Sequence, residues 1–314
     1  MKIAPLRRLP YTLGIIILIT AFYRTASPEE PTVGLTGGVQ QLHGNSTYQI
    51  GFSSLPATAN DLEGFPISEL KFPLNVYLLS VSGNLSFQRW QMNLALKKKL
   101  TQRAGIMKDS DWRYDAGMAI PANYSENKTH LNAFVVDGVL LYNFLRKANW
   151  SFGGGIGYLA QSFGFSTTNI MQQDFAEPSA EVYTVAGPFI DYDIEYSIPY
   201  LQGKINYCFK EGFALAAEFG YSFLVKVKDY DYHLKAKKTS FGTCDGDAYL
   251  FSLQAMLHKH NAVVLIAECT YMMIDTKGEQ TELYDYEIST TSTRYNETIA
   301  SKQLALTVSI GYEF

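Results

Sequence analysis

The run Phe213–Val227, FALAAEFGYSFLVKV, decides the fold class, because an apolar residue occupies every second position. An apolar period of two is typical of a β-strand with one apolar face. The run leads into Lys228–His233, KDYDYH, which we predict to form a loop after this strand. Asp231 and His233 are two residues apart, so their side chains would lie on the same side. A carboxylate beside an imidazole can orient it as a general base, although two polar residues at a strand end are also typical of a solvated end.

The same alternation recurs along the chain and predicts ten strands joined alternately by short turns and long polar loops. The last strand, Leu304–Phe314, alternates almost without interruption. A turn is predicted at Ser82-Gly83-Asn84, and Pro199 together with a slip in phase predicts a β-bulge. These features are typical of an all-β fold, a ten-stranded antiparallel transmembrane β-barrel with long extracellular loops and short periplasmic turns. Apart from the loop after strand seven, long loops are predicted at residues 53–67, 103–129, 166–187 and 275–300.

The beginning of the chain predicts export. Arg7 and Arg8 precede an apolar segment, Thr12–Phe22, which is long enough for a signal peptide and short for a transmembrane helix. We therefore predict a signal peptide at residues 1–27 and a single outer-membrane barrel domain at residues 28–314. The 22 Tyr, 19 Phe and 24 Gly fit a barrel. The net charge of −4 gives no indication of a nucleic-acid partner.

A second polar segment, Gly105–Trp112, contains Asp109 and Asp111 in the predicted loop after strand three. Two carboxylates at this spacing could belong to a Ca²⁺ site, a solvated loop or a catalytic pair. Strands three and seven are both odd in number, so the loops that follow them lie on the same rim. Four strands separate them in a ring of ten, so the two aspartates would face the Asp231–His233 couple across the mouth of the barrel. Such an arrangement can hold and deprotonate a water molecule.

At these residues the chain resembles the omptins, outer-membrane endopeptidases of Gram-negative bacteria. Met107–Trp112, MKDSDW, is similar to their M-x-D-x-D-W motif, and Asp229–His233, DYDYH, is similar to their D-x-D-x-H segment. Two shorter stretches are also similar: Ile198-Pro199-Tyr200 with Gly203 to an M-P-Y-x-G-L stretch, and Gly157-Tyr158 to a G-Y pair. The resemblance extends over most of the mature chain in strand order, whereas strong identity is confined to these stretches.

The resemblance implies a barrel that projects above a Gram-negative outer membrane, with its active site facing the exterior. Asp109 and Asp111 would form a carboxylate pair. Asp231 and His233 would activate a water molecule, which attacks the peptide carbonyl directly. Asp229 would bind the basic residue that precedes the scissile bond. We therefore predict an endopeptidase that acts on peptides or proteins within outer-membrane lipid and needs no metal or other cofactor.

The chain departs from the family pattern in two places. Omptins have a second acidic partner for the basic side chain in an E-x-V-Y run, where this chain has Asn45–Tyr48, NSTY. Loss of half of a charge match predicts a weaker preference for Arg or Lys. Of the positions through which omptins bind lipopolysaccharide, Tyr158 matches, whereas Ala160, Ser162 and Glu195 replace charged residues. Lipopolysaccharide is therefore a family-type activator that these residues do not support.

Two other functions stay open on the sequence alone. A barrel that has kept the shape and lost efficient turnover would serve as a surface adhesin or scaffold, and the missing glutamate favours this alternative. A small porin is the other, although ten strands leave a lumen mostly filled by side chains. The cysteines Cys208, Cys244 and Cys269 allow one disulfide or three inert thiols.

Overall fold

The structure is a computed structural model that describes residues 31–51, 66–112, 121–174, 182–210, 212–234, 238–258, 262–285 and 290–314. The predicted signal peptide, residues 1–27, lies outside the described residues. Within the described ranges no helix is long and apolar enough to cross a membrane. The strands are β1 (Thr32–Gly51), β2 (Pro66–Pro73), β3 (Val76–Phe87), β4 (Trp90–Lys99), β5 (Arg103–Asp111), β6 (Asn123–Lys147), β7 (Trp150–Asp174), β8 (Tyr183–Lys210), β9 (Phe213–His233), β10 (Lys238–His258), β11 (Val263–Asp285) and β12 (Thr290–Glu313).

The strands form one antiparallel sheet that closes on itself, because β12 pairs with β1. β2 and β3 both pair with β1, and β4 and β5 both pair with β6. Each of these two couples therefore fills one place in the ring, so twelve strands occupy ten places. Between β2 and β3 the chain bends at Leu74, whose N–H donates to the Gly44 carbonyl oxygen at 3.0 Å. The structure thus divides the second predicted strand into β2 and β3, and it adds β5 from a segment that was predicted as a loop.

The polar segments predicted as long loops belong largely to strands. Arg103–Asp111 is β5, which pairs with β2 on one edge and β6 on the other. Lys228–His233 is the end of β9 and pairs with both β8 and β10. The loop prediction for these two segments is therefore wrong, because cross-strand hydrogen bonds continue where the apolar alternation ends. The candidate residues consequently alternate between the two faces of a sheet.

The predicted turn at Ser82-Gly83-Asn84 is also wrong. These residues lie within β3, where Gly83 pairs with residues of β1 and β4. The chain turns instead at Gln88 and Arg89. Hydrogen bonding along both edges of β3 outweighs the local turn preference of a Gly-Asn pair.

The barrel has two different rims. At the turn rim, β3 is followed by β4, β6 by β7, β8 by β9 and β10 by β11 after at most four residues, and the loop rim is the opposite end, where β1, β5, β7, β9 and β11 end. Outward-facing side chains near the turn rim form an apolar band that includes Leu35, Val39, Leu79, Ile156, Leu201, Phe219, Leu253 and Val308. Towards the loop rim the outward-facing side chains include Asp191, Glu195, Lys228, Asp245 and Lys277. The outer surface thus changes from apolar to charged along the barrel axis.

The interior beside the apolar band is polar and closed. Lys204 and Glu218 form an ion pair at 2.7 Å. Gln161 and Gln303 exchange two hydrogen bonds across the lumen, each 3.0 Å long. The cavity that remains at this level measures only about 100 Å³.

The interior towards the loop rim contains an apolar cluster, although the sequence predicts small or polar residues inside the barrel. Phe72 of β2 stacks on Tyr192 of β8 with ring centroids 4.7 Å apart, which ties opposite walls together. A barrel that rises beyond the apolar band needs its own buried core, and this cluster provides it. Its largest members are Leu70, Phe72, Phe163, Phe165, Tyr192, Ile194 and Tyr196.

Strand β9 reverses its facing halfway along. Up to Phe223 the odd-numbered residues face outward, whereas from Val225 onward they are buried. Phe223 and Leu224 are both exposed and lie opposite a single residue of β10, Asp247, which defines a β-bulge. The prediction of one apolar face over the whole run Phe213–Val227 is therefore wrong at its end. The predicted bulge at Pro199 is wrong, because the even-numbered residues of β8 stay buried on both sides of Pro199 and β8 pairs with β7 there without a shift. The extra residue in the β8–β9 register belongs to β9.

The three cysteines are all free thiols. Cys208 and Cys269 are exposed, and Cys244 is buried. Of the two alternatives that the sequence allows, the structure therefore has three unpaired cysteines.

Candidate active site

Beyond its bulge, β9 directs Asp229, Asp231 and His233 into the barrel. His233 Nε2 lies 2.9 Å from Asp231 Oδ2. The Asp231 side chain is only 1% exposed and that of His233 is 20% exposed, so the carboxylate is fixed while the imidazole reaches open space. When Nε2–H donates to Asp231, the lone pair on Nδ1 can accept a proton.

Asp109 and Asp111 occupy alternate positions near the end of β5, and both are half-buried. Burial, followed by the negative charge of Asp111, raises the pKa of Asp109 to about 7. His233, when it is protonated, and Lys238 oppose this rise. Near neutral pH, Asp109 can therefore keep or lose a proton, as a group that takes part in acid–base chemistry must do.

One cavity of about 410 Å³ near the loop rim brings the predicted residues together. β5 and β9 lie four places apart in the ring, with β6, β7 and β8 between them. Both strands run towards the loop rim, as their odd positions in the predicted order require. The cavity is large enough for an extended stretch of peptide. Its walls include Tyr48, Leu70, Asp109, Asp111, Tyr124, Asp231, His233, Lys238, Glu282 and Tyr295.

Sequence reasoning missed two charged residues of this cavity, Lys238 and Glu282. Lys238 Nζ donates to Glu282 Oε1 at 2.8 Å, and both residues line the cavity. Lys238 follows the 234–237 connection, and Glu282 lies in the segment predicted as a loop. Neither belongs to a motif, so only the strand pairing reveals them.

Asp229 lies one pleat deeper than Asp231 and meets a second buried carboxyl group, Glu297 of β12. Burial, followed by the charge of Glu297, raises the pKa of Asp229 above its usual range. Cys244 Sγ donates to Glu297 Oε2 at 3.3 Å. The sequence did contain a signal for Glu297. In the last predicted strand the odd-numbered residues face inward, and this alternation reaches Glu297 when it is extended towards the beginning of the strand.

A second buried acid therefore lies beside Asp229, on β12 rather than on β1. Asn45, at the position where an acidic residue was expected, belongs to the outward-facing set of β1. Its side chain accepts a hydrogen bond from Thr47 Oγ1 at 3.3 Å.

The residues compared with a lipopolysaccharide site face outward between the apolar band and the loop rim. Tyr158 is exposed and its hydroxyl lies 2.6 Å from Ser197 Oγ. Ala160 and Ser162 follow on the same face of β7, and Ser162 pairs with Glu195 of β8. This part of the wall presents hydroxyl groups and a carboxylate, beside the exposed Lys226 and Lys228 of β9.

The family model described as Omptin matches residues 62–314. Among solved structures, the chain is similar to the outer membrane protease OmpT from Escherichia coli, with a TM-score of 0.80 and 18% sequence identity over 93% of this chain and 99% of that one. It is also similar to the translocator domain of the autotransporter NalP from Neisseria meningitidis, with a TM-score of 0.39 and 9% identity over 96% of this chain and 94% of that one. No curated protein sequence matches the chain.

Proposed function

The chain belongs to the omptin family, and from that premise we propose that it is an outer-membrane endopeptidase that hydrolyses peptide bonds with an activated water molecule. The observation that carries the proposal is the 2.9 Å contact between His233 Nε2 and Asp231 Oδ2, in the cavity that Asp109 and Asp111 also line. A base, its orienting carboxylate and two further aspartates, of which Asp109 has a raised pKa, thus converge on one space.

In the proposed reaction, a water molecule between the Asp109–Asp111 pair and His233 gives a proton to the imidazole as its oxygen attacks the peptide carbonyl carbon. Protonated Asp109 shares its proton with the carbonyl oxygen as negative charge develops there. The imidazolium then gives its proton to the departing amine, which completes the cleavage without a net change in protons. Asp231 holds the imidazole in orientation and stabilises its charged form. Every group in this scheme belongs to the chain, so no metal or other cofactor is required.

We propose that the apolar band lies in the outer-membrane lipid and that the charged half of the barrel stands outside the cell. In this orientation the ten places of the ring span the membrane, the turn rim faces the periplasm and the cavity receives peptide or protein substrates from the exterior. The change from Leu201 and Phe219 to Glu195 and Lys228 along adjoining strands supports this position. Lipopolysaccharide is not part of the proposal, because the positions compared with the family's site, Ala160, Ser162 and Glu195, carry no positive charge.

The first test uses the refolded mature chain in detergent, with and without lipopolysaccharide, against a mixed peptide library analysed by mass spectrometry. Cleavage that disappears in the His233→Ala variant supports a peptidase that uses this site. A folded protein that cleaves no peptide under either condition would favour the adhesin or scaffold function.

The closed lumen predicts that the barrel conducts no steady current. The Gln161–Gln303 pair and the Lys204–Glu218 ion pair block the passage at the level of the apolar band. In planar lipid bilayers we expect no stable open-channel steps from the purified chain, under conditions in which a general porin inserted as a control conducts. Steady, ohmic channel openings would support the porin function instead.

The pKa of Asp109 predicts an alkaline limit to activity. Because the protonated carboxyl is the active form in the proposal, kcat/KM should fall as the pH rises through about 7. Asp111→Asn removes the like charge that raises this pKa, so the falling limb should move to lower pH. The measurement is the pH profile of kcat/KM for both proteins, and a limb that stays in place or moves to higher pH would contradict the role of Asp109.

A further inference from the structure

Three exposed cations gather where two short turns of the turn rim meet. Arg89 lies in the turn between β3 and β4, and Arg146 and Lys147 end β6, directly before the turn into β7. Because β4 pairs with β6, the two turns are neighbours, and the Asn143 N–H donates to the Arg89 carbonyl oxygen at 2.7 Å. We call Arg89, Arg146 and Lys147 the rim cations.

One of the two guanidinium groups is held in place. Arg146 Nη2 donates to the Gln88 carbonyl oxygen at 2.6 Å, which brings this side chain across to the turn that carries Arg89. A guanidinium group has five N–H donors, so this hydrogen bond leaves most of them free for a ligand. A side chain that is already fixed also loses less conformational entropy on binding. The contact therefore prepares Arg146 to bind an oxyanion.

The rim cations have no acidic partner among the residues that the structure describes, where none of them forms an ion pair. β1, β3 and β4 contain no Asp or Glu. The chain from residue 138 to residue 173, which includes the turn from β6 to β7, contains none either. Positive charge without a countercharge attracts anions to this part of the rim.

Aromatic side chains place the rim cations at the edge of the apolar band. Trp90 packs against Tyr142 with ring centroids 4.9 Å apart, and Trp150 packs against Tyr207 at 4.5 Å. Both tryptophans are exposed and adjoin the rim cations, one in sequence and the other across the β6–β7 pairing. Trp and Tyr concentrate at the interface between hydrocarbon and water, where lipid headgroups lie. In the proposed membrane position the rim cations are therefore at headgroup depth.

We propose that the rim cations bind the phosphate group of an anionic phospholipid, such as phosphatidylglycerol, in the leaflet at the turn rim. This inference rests on the proposed membrane position and is independent of peptide hydrolysis. Guanidinium groups match phosphate oxygens with paired hydrogen bonds, and Lys147 adds a third positive charge. A zwitterionic headgroup fits less well, because the three cations repel its ammonium group.

The test measures lipid binding to the folded chain in detergent by native mass spectrometry. The probes are phosphatidylglycerol and phosphatidylethanolamine with the same acyl chains. The wild-type chain should bind phosphatidylglycerol about tenfold more tightly than phosphatidylethanolamine. A triple variant in which glutamine replaces all three rim cations should bring this ratio to about twofold or less.

The matched control replaces Lys226, Lys228 and Lys277 with glutamine. These are three exposed cations of the loop-rim half, so the control should keep the wild-type ratio. Arg89→Gln alone leaves the hydrogen bond between the two turns intact and should reduce the ratio about threefold. This single variant keeps the test decisive if the triple variant does not fold.

A second arm uses the tryptophans beside the rim cations as reporters in phosphatidylcholine vesicles. A Trp112→Phe chain keeps only Trp90 and Trp150 as tryptophans. Brominated phosphatidylglycerol should quench their fluorescence more strongly than the same fraction of brominated phosphatidylcholine. The triple variant in the same background should lose this difference.

Equal binding of the two phospholipids by the wild-type chain overturns the inference, and so does an unchanged ratio in the triple variant. A control variant that loses the preference to the same extent would show attraction to charge anywhere on the barrel, which also overturns it. A chain that inserts into vesicles and is quenched equally by both brominated lipids overturns the inference while leaving the membrane position intact. A folded chain that does not insert overturns both.

Discussion

Replacing His233 with alanine is expected to lower kcat/KM for peptide hydrolysis by about 10²- to 10⁴-fold, the range that general acid–base catalysis contributes. The variant loses the group that accepts the proton of the attacking water and later protonates the leaving amine. Asp231 remains in this variant, but it no longer has an imidazole to orient. Its carboxylate is only 1% exposed. The effect should fall mainly on kcat, because the substrate makes most of its contacts elsewhere in the cavity.

His43→Ala is the matched control for this experiment. His43 is exposed on the outer face of β1, so its loss changes composition in the same way without touching the cavity. Both variants should show the heat-modifiable electrophoretic migration of a folded barrel. Unchanged hydrolysis by a folded His233→Ala protein would remove the basis of the proposed reaction.

Replacing Asp109 with asparagine is expected to reduce kcat/KM by about 10²-fold or more, because the amide can donate a hydrogen bond but has no proton to transfer. The substitution should also remove the alkaline limb near pH 7, since the group whose pKa lies at about 7 is gone. The loss of the limb distinguishes a role in proton transfer from general damage to the cavity. The measurement is a full pH profile of kcat/KM for the variant and the wild-type enzyme.

Asp245→Asn, at an exposed position of β10, provides the control for loss of one carboxylate. It should retain both the rate and the alkaline limb of the wild-type enzyme. If Asp109→Asn kept the limb near pH 7 while losing activity, a different group would have to set that limb, and the assignment of Asp109 as the acid would be wrong.

The sequence predicted an all-β barrel and placed Asp109 and His233 on the same rim, for a physical reason. A strand in a closed sheet runs up or down according to its place in the order. Asp109 and His233 were therefore placed on one rim even though their segments were expected to be loops. The apolar alternation of Leu304–Phe314 is strong because one face meets the outer apolar band and the other meets a polar lumen.

The features that the sequence did not predict lie where that contrast between faces disappears. Near the loop rim, β11 carries Glu279 outside and Glu282 inside, so no period of two remains and the segment looks like a loop. Glu297 was missed because it lies within residues 275–300, which were predicted as a loop. The bulge of β9 was missed for a different reason. Phe223 and Leu224 are both apolar, so the apolar pattern continues across the shift in register.

Because of the extra residue in β9, the two halves of this strand are under different structural constraints. Odd-numbered residues before it meet the apolar surroundings of the barrel, whereas odd-numbered residues after it, such as Asp229 and Asp231, meet the cavity. Removal of one residue at Leu224 would exchange inside and outside for the whole end of the strand. The proposed acids and the imidazole would then point away from any bound peptide, with every one of them still in the chain. Two such barrels could therefore carry the same site residues and still differ in activity, if the spacing between those residues differs. A comparison that counts only the residues would overlook the inactive barrel.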